Sequence, residues 1–383
     1  MKIAIILNDM HIGGIPRACV TLMQQLLKYA DVTLILANDK GELHSEIPVG
    51  VNSIIIPHRR ARAVYNMFWG ECRYFKALVF LIYSTVLGKV FKRWVKNNEY
   101  IAKHVGSICD DEFDCAIAFH GMHIDHLNRT IYNVSAKKKI AWIHGDHPFT
   151  GKHLSDVRDI YNKYDKILCV SDICRSNFVR DFPNLDVPVE TFYCLLNVNE
   201  IKERANQGVA IELEKDFINI LTVGRLSPEK GQDMIPEVLS KLNRDDVRWF
   251  LIGDGPDRER IEDLKNRYNA NQLIFLGAKS NPYPYIKECD IYVQPSYSEA
   301  YSLTAFEAAT FSKPIVITDV AGATELLSPS HDSIVVKPTV DALVNGIITL
   351  INDRELTEKI QKNISKKDFS NYSEVLKLIN YIH

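Results

Sequence analysis

The chain has 383 residues, 46% hydrophobic and 25% charged, with a formal net charge of −2. That mix excludes a disordered chain, and the length points to two or three globular domains. Eight cysteines with no Cys-x-x-Cys pair are expected to be reduced and mostly buried, because a chain of this size does not need disulfides to fold.

Charge is unevenly spread: residues 1–196 carry a net +4 and the remainder −6. Within the first half, residues 57–96 hold nine basic side chains and a single acid, Glu71. Such a cluster suggests an anionic partner, a membrane surface or a nucleic acid. The start of the chain runs from Met1 straight into a strand pattern, without the basic start, long apolar stretch and cleavage site of a signal peptide. The expectation is a cytoplasmic protein.

In chain order, short apolar runs at Ile3–Leu7, Val32–Ala37, Ser53–Ile56, Cys115–Phe119, Lys139–Ile143 and Ile167–Val170 read as buried strands. A helix pattern covers Arg17–Tyr29, and the stretch at about 57–110 is too long for one crossover and reads as a helical insertion. The second half repeats this grammar, with strands at Asn219–Val223, Trp249–Ile252, Leu273–Leu276, Ile291–Gln294 and Pro314–Thr318. Buried strands alternating with helices predict parallel sheets. The fold class is therefore α/β, two Rossmann-like doubly wound domains facing across a cleft. The polar stretch Asn197–Asp216 reads as the linker. The predicted domains are 1–196, 197–365 and a C-terminal helical segment, 366–383, crossing back to the first. Ligands of such sheets bind at the carboxyl ends of the strands.

Four features at strand ends carry chemistry. Gly13-Gly14 follows the first strand, where a backbone without side chains can approach an anion; a plain tight turn is the alternative. Gly224–Gly231 (GRLSPEKG) puts Arg225 and Lys230 five residues apart, suited to gripping a diphosphate; the alternative is a solvated loop in which Glu229 pairs with a neighbour. Gly253-Asp254-Gly255-Pro256 is a third strand end, or only a turn. Ser298–Ala308 holds Glu299 and Glu307 eight apart, with Ser302 as a helix N-cap, Glu299 in the loop before it and Glu307 in the second turn. One carboxylate can accept from a sugar and the other from a ribose diol; a surface Glu and a helix Glu are the bland reading. No Gly-x-Gly-x-x-Gly follows a strand.

Taken in this order, the four features resemble the retaining glycosyltransferases of family 4, which have the two-domain GT-B fold, as found among bacterial capsular and surface polysaccharide glycosyltransferases. The resemblance also takes in Arg17, the stretch Trp142–Asp146, Val170-Ser171, Asn197–Asn199 and Gly322–Glu325. One departure is Ala300, where that family has Gly after the first glutamate; the extra methyl bears on which sugar fits.

The resemblance implies a nucleotide-sugar donor, with UDP as the nucleotide, and a saccharide acceptor; the basic segment 57–96 and its amphipathic pattern point to a lipid-linked acceptor in surface polysaccharide biosynthesis. It implies that Arg225 and Lys230 bind the donor diphosphate, with the Gly14 backbone facing the same phosphates. Glu299 would contact the donor sugar, Glu307 the ribose, and His144 the region near the sugar; Gly253, Tyr301, Ser302 and Leu303 complete the donor set. The catalytic group is then Glu299, His144, Arg225 and Lys230. No cofactor is expected beyond the nucleotide-sugar co-substrate. No metal is expected either, because no Asp-x-Asp occurs to anchor a metal-bound diphosphate.

Six of the twelve histidines lie between His120 and His153. The cluster His120, His123, Asp125 and His126 could hold a metal, but lacks the spacing of a recognised zinc motif. A polar acceptor cleft or plain surface histidines is the preferred reading, with His120, Asp146 and His147 on the acceptor side. Read as a helix, the end of the apolar run Ala77–Gly88 and the residues after it place Lys89, Lys92, Arg93 and Lys96 on one face and Val86, Val90, Phe91 and Trp94 on another. That predicts membrane contact through residues 57–96, peripheral at the inner face of the cell membrane, since a run of twelve residues, apolar except for Ser84 and Thr85, is too short to span it. A core-packed helix with a solvated basic face is the alternative. Nucleic acid is not expected as a partner, as no recognition motif accompanies the charge. A sugar-nucleotide epimerase, or a non-catalytic nucleotide-sugar-binding protein, would use the same fold.

Overall fold

The computed structural model describes residues 1–56, 82–83, 94–145, 152–210, 212–213, 215–320, 322, 325 and 327–383. The chain divides into two compact units: Met1–Tyr193 with Tyr372–His383, and Cys194–Asn371. These boundaries stand beside the expected breaks at 196/197 and 365/366.

Unit 1 is built on a seven-stranded, all-parallel sheet. Its strands are β1 (Lys2–Leu7), β2 (Asp31–Leu36), β3 (Asn52–Ile55), β4 (Glu112–Ala118), β5 (Ser135–Ile143), β6 (Lys166–Cys169) and β7 (Val189–Thr191), in the spatial order β3-β2-β1-β4-β5-β6-β7. The central strand is buried from Ile3 to Leu7, and Ile5 pairs with both Leu34 and Ile117. A strand covered on both faces needs an unbroken apolar run, which is why β1 shows no alternation. The helices are α1 (Gly14–Leu26), α2 (Trp94–Val105), α3 (Ile124–Tyr132), α4 (Lys152–Tyr161) and α5 (Asp172–Asp181). α1 starts three residues earlier than expected and ends three earlier. Gly13 is extended, and Pro16 is accommodated in the first turn, where its missing N–H leaves no bond unmade. Within unit 1 the last twelve residues supply a helix, Ser373–Ile382, that packs on α1, and the Lys166 ammonium lies 3.8 Å from the centre of the Tyr381 ring.

Unit 2 repeats the pattern with six parallel strands: β8 (Ile218–Val223), β9 (Val247–Ile252), β10 (Leu273–Gly277), β11 (Ile291–Gln294), β12 (Ile315–Thr318) and β13 (Ile334–Val336), ordered β10-β9-β8-β11-β12-β13. Side chains stitch its centre. Trp249 Nε1 donates to Thr222 Oγ1 at 3.1 Å, and that hydroxyl donates to the Val293 carbonyl at 2.7 Å, tying β9, β8 and β11 together inside the core. The helices are α6 (Val198–Asn206), α7 (Ile235–Leu242), α8 (Arg258–Arg267), α9 (Tyr283–Glu288), α10 (Leu303–Ala309), α11 (Val340–Asn352) and α12 (Arg354–Ile364). The Ser373–Ile382 helix of unit 1 is α13.

Two readings are corrected here. The stretch expected to be a plain linker begins with α6: the Asn197 side chain caps it by accepting from Glu200 N–H, and Ile201 and Ala205, four apart, are buried on the side that packs on α9. Two strands were unread, β7 and β13. Each is three residues long, at a sheet edge and without fully buried positions, so neither shows an apolar run.

Candidate functional site

In unit 2 the strand order reverses between β8 and β11, the place where an open α/β sheet opens a crevice at its carboxyl edge. The loop after β8 holds Gly224–Gly231 and the loop after β11 holds Pro295–Ser302. They are pressed together: the Tyr297 and Ser298 amides both donate to the Glu229 carbonyl, at 2.9 and 3.1 Å. Gly231 has φ +65°, and a Cβ there would lie 2.1 Å from the Pro295 carbonyl oxygen. This contact lets Lys230 reach across: its Nζ donates to Glu299 Oε1 at 2.8 Å.

Glu299 is buried, and the same Oε1 also accepts from Ser296 Oγ at 2.8 Å and Gln294 Nε2 at 3.3 Å. Arg225, on the Lys230 loop, is exposed, and among the described residues its guanidinium makes no hydrogen bond or ion pair. Glu229 does not neutralise either cation by direct pairing; its carboxylate accepts from Ser227 Oγ at 2.6 Å. Partial burial pushes that carboxyl up, and the Ser227 bond with the charges of Lys230 and Arg225 brings it net below its usual value. One fixed cation thus stands beside a buried carboxylate and a second is free, an arrangement suited to an anion.

The third glycine loop supports the first. A Cβ on Gly253 would sit 1.9 Å from the Gly224 carbonyl oxygen, and one on Gly255 would sit 2.2 Å from that of Leu226. The chemistry of these glycines is close backbone packing, which brings β9's end against the Arg225 loop.

Ser302 stands at the N-cap of α10 as expected, but its hydroxyl makes no capping bond and is buried without a partner. Leu303 is the first residue of α10. Glu307 lies in the second turn, buried, and its Oε1 accepts from Tyr283 Oη at 3.1 Å. Tyr301 is buried with its ring 4.7 Å from that of Phe306, and its hydroxyl accepts from Asn371 Nδ2 at 3.1 Å. Gln294, Ser296 and Tyr283 were missed by sequence reasoning. Gln294 had a signal: a lone amide ending the otherwise apolar strand run Ile291–Gln294.

In unit 1 the reversal falls between β1 and β4. Gly14 is the exposed first residue of α1. His120 follows β4, and burial, with the neighbouring His123, lowers it to about 4 against the opposing charge of Asp9. His144 follows β5, its ring 4.6 Å from Phe119 and stacked on Trp142 at 6.1 Å; burial and then His120 push it down to about 3. At neutral pH it is an uncharged hydrogen-bonding ring, too weak a base to take a proton readily. Asp146 and His147 lie outside the described residues.

The reading of surface histidines fails for His126. It is fully buried on α3, both ring nitrogens lack partners, and burial lowers it well below its usual value. The His120, His123 and His126 ring centres are 4.6 to 5.9 Å apart. Among the described residues no group of His, Cys, Asp or Glu is arranged to hold a metal ion.

Most of the basic segment at 57–96 lies outside the described residues. Among the described residues its one basic side chain is Lys96, on α2. Its ammonium is 3.7 Å from Glu99 Oε2, 3.7 Å from Asp156 Oδ1 and 3.6 Å from Asp159 Oδ2. It is therefore committed to three carboxylates of unit 1 and is not a free cation. Among the described residues no helix is long and apolar enough to cross a membrane.

Residues 203–367 match the family model described as glycosyl transferases group 1. An uncharacterised glycosyltransferase of Methanocaldococcus jannaschii is 28% identical over 212 residues, 54% of each chain. The gpi3 subunit of the Schizosaccharomyces pombe phosphatidylinositol N-acetylglucosaminyltransferase is 27% identical over 199 residues, 49% of this chain and 41% of that one. The chain thus spans about half the length of these curated relatives. A Campylobacter jejuni protein matches end to end, 24% identical over 95% of this chain and 94% of its own; it is named N-acetylgalactosamine-N,N'-diacetylbacillosaminyl-diphospho-undecaprenol 4-alpha-N-acetylgalactosaminyltransferase. Among solved structures, Anabaena HepE in complex with UDP and glucose superimposes with a TM-score of 0.72 at 17% identity, covering 100% of this chain and 99% of that one. Staphylococcus aureus TarM in complex with UDP does so at 0.73 and 12%, over 100% and 99%. The fold is the two-domain α/β GT-B fold.

Proposed function

We propose, from the premise that residues 203–367 form a glycosyl transferases group 1 domain, that the chain moves a sugar from a nucleotide-sugar to a saccharide acceptor. The observation that carries this reading is the Lys230–Glu299 contact at the switch point of unit 2, with Arg225 unpaired on the same loop. The bond that breaks joins the anomeric carbon to a phosphate oxygen, and the one that forms joins that carbon to the acceptor oxygen. The acceptor's proton leaves to the departing diphosphate. Charge gathers on that diphosphate, and Arg225 and Lys230 stabilise it. Glu299 receives a sugar hydroxyl, Glu307 the ribose, and the uncharged His144 serves as a hydrogen-bond partner on the acceptor side.

The nucleotide is UDP on this reading, supported by the UDP complexes of HepE and TarM. Transfer retains the anomeric configuration and requires no metal, because two protein cations supply the charge that a metal would. A lipid-linked acceptor, in surface polysaccharide assembly at the cytoplasmic membrane face, is supported by the diphospho-undecaprenol in the Campylobacter relative's name and by the basic residues of 57–93.

Product analysis with radiolabelled UDP-sugars and a diphospho-polyprenol saccharide tests this. Label in the lipid product with the donor's anomeric configuration is expected. An epimerised donor, an inverted linkage or no transfer under any donor would contradict it.

A further inference from the structure

The hydrogen-bond chain behind Glu299 has a definite direction. Gln294 and Ser296 are buried. The Gln294 carbonyl oxygen accepts from Tyr292 Oη at 2.9 Å and from Thr304 Oγ1 at 3.2 Å, while its amide nitrogen donates to Ser296 Oγ at 2.9 Å and to Glu299 Oε1 at 3.3 Å. The amide cannot be turned over without cost, because an ionised carboxylate only accepts and would then face the Gln294 carbonyl. Ser296, having accepted from Gln294, is left to donate to the same Oε1, and it does so at 2.8 Å. Lys230 Nζ is the third donor to that oxygen, at 2.8 Å. Three donors exhaust the lone pairs of Oε1. Glu299 Oε2 makes no hydrogen bond among the described residues.

We infer that Gln294 and Ser296 are positioning residues that set donor-sugar specificity by locking the Glu299 carboxylate with one oxygen spent and the other open. The inference rests on the proposed nucleotide-sugar donor and deepens it. A carboxylate free to rotate could meet hydroxyls of either configuration. One pinned at three points offers a single acceptor direction, and a sugar whose hydroxyl points elsewhere leaves a buried oxygen unpaired. Neither side chain reaches the crevice, since both are enclosed in the sheet's carboxyl edge. Their influence therefore passes through Glu299 and falls on the sugar, not on the nucleotide.

The experiment compares wild type with Gln294→Leu, Ser296→Ala and Gln294→Glu on a panel of UDP-glucose, UDP-galactose, UDP-N-acetylglucosamine and UDP-N-acetylgalactosamine. Thr222→Val is the control for damage to the same core. The expected result is that Gln294→Leu and Ser296→Ala narrow the ratio of kcat/KM between best and worst donor by about tenfold. UDP alone should inhibit with affinity within about twofold of wild type. Gln294→Glu sets a second carboxyl against Glu299, so its activity should recover as pH falls, a profile that wild type and Thr222→Val lack. An unchanged donor ranking, or UDP affinity lost in step with donor affinity, overturns the inference alone. A wild type that binds neither UDP nor any of the four donors overturns the function reading, and the inference with it.

Discussion

Gly231 and Pro295 meet so closely that a Cβ on the glycine would lie 2.1 Å from the proline's carbonyl oxygen. That contact joins the two loops carrying Lys230 and Glu299. Gly277 provides the comparison: it has a similar φ of +69°, but nothing lies within 4 Å of a Cβ there. Gly277→Ala is expected to cost about 1 kcal/mol, the penalty of the left-handed conformation alone. Gly231→Ala is expected to cost about 3 kcal/mol or more and to weaken UDP binding, because backbone must move. Urea unfolding midpoints measure both. Equal losses would mean that the loops separate freely.

The two cations of the loop should separate in their effects. Arg225 is exposed and unpaired, so Arg225→Ala should leave stability within about 0.5 kcal/mol. It should still cost on the order of 3 kcal/mol in kcat/KM, by analogy with deleting one fixed donor to a developing anion. Lys230→Ala should cost a similar amount in activity and also some stability, since it leaves buried Glu299 without its cation. Thermal unfolding beside steady-state kinetics decides; full turnover by a folded Arg225→Ala would remove Arg225 from the site.

Unit 1 should lose stability on mild acidification. His120, His126 and His144 are all held below their usual value near 6.5, so the folded state refuses protons that the unfolded chain accepts. Their neutral forms are no burden above pH 6.5. Stability is lost as pH falls below 6.5 toward the folded values, about 4 for His120 and about 3 for His144. A methionine can pack against the His120 and His123 rings without burying unpaired polar nitrogens, so His126→Met should be within about 1 kcal/mol of wild type at pH 7.5. At pH 5 the variant should be relatively more stable by about 2 kcal/mol. Urea midpoints at the two pH values test it, and parallel losses in both proteins would contradict it.

Lys96 should behave as a structural cation. Lys96→Glu places an acid among Glu99, Asp156 and Asp159 and should lower stability by about 2 kcal/mol. The triple variant Lys89→Glu, Lys92→Glu, Arg93→Glu should instead lose co-sedimentation with liposomes containing anionic lipid, each cation contributing about 1 kcal/mol near such a surface. Wild type that ignores anionic liposomes, or a triple variant that binds them equally, would make a water-soluble acceptor the better reading.

Much of this architecture was legible because buried parallel strands must be apolar throughout. β1, β8 and β11 announce themselves as Ile3–Leu7, Asn219–Val223 and Ile291–Gln294, and the strand-end residues Lys230 and Glu299, sixty-nine apart in sequence, do meet. What stayed hidden depends on partners that no local pattern carries. The edge strand Val189–Thr191 has no apolar run, and α6 buries only Ile201 and Ala205 beneath a polar exterior. Gly253 read as a strand end or a plain turn, and the need for a missing side chain shows only in the fold, where the Gly224 carbonyl oxygen lies 1.9 Å from where a Cβ would be. His126 read as part of an acceptor cleft or of the surface, because only the fold turns that face of α3 inward.

The central claim is that the Arg225–Lys230 loop holds the diphosphate of a nucleotide-sugar. Isothermal titration of UDP into wild type and into Arg225→Ala/Lys230→Ala, in EDTA, tests it most directly. Saturable binding by wild type without metal, weakened at least about a hundredfold in the folded double variant, is the predicted result. Equal affinity in the two proteins, or binding by wild type only after magnesium is restored, would contradict it.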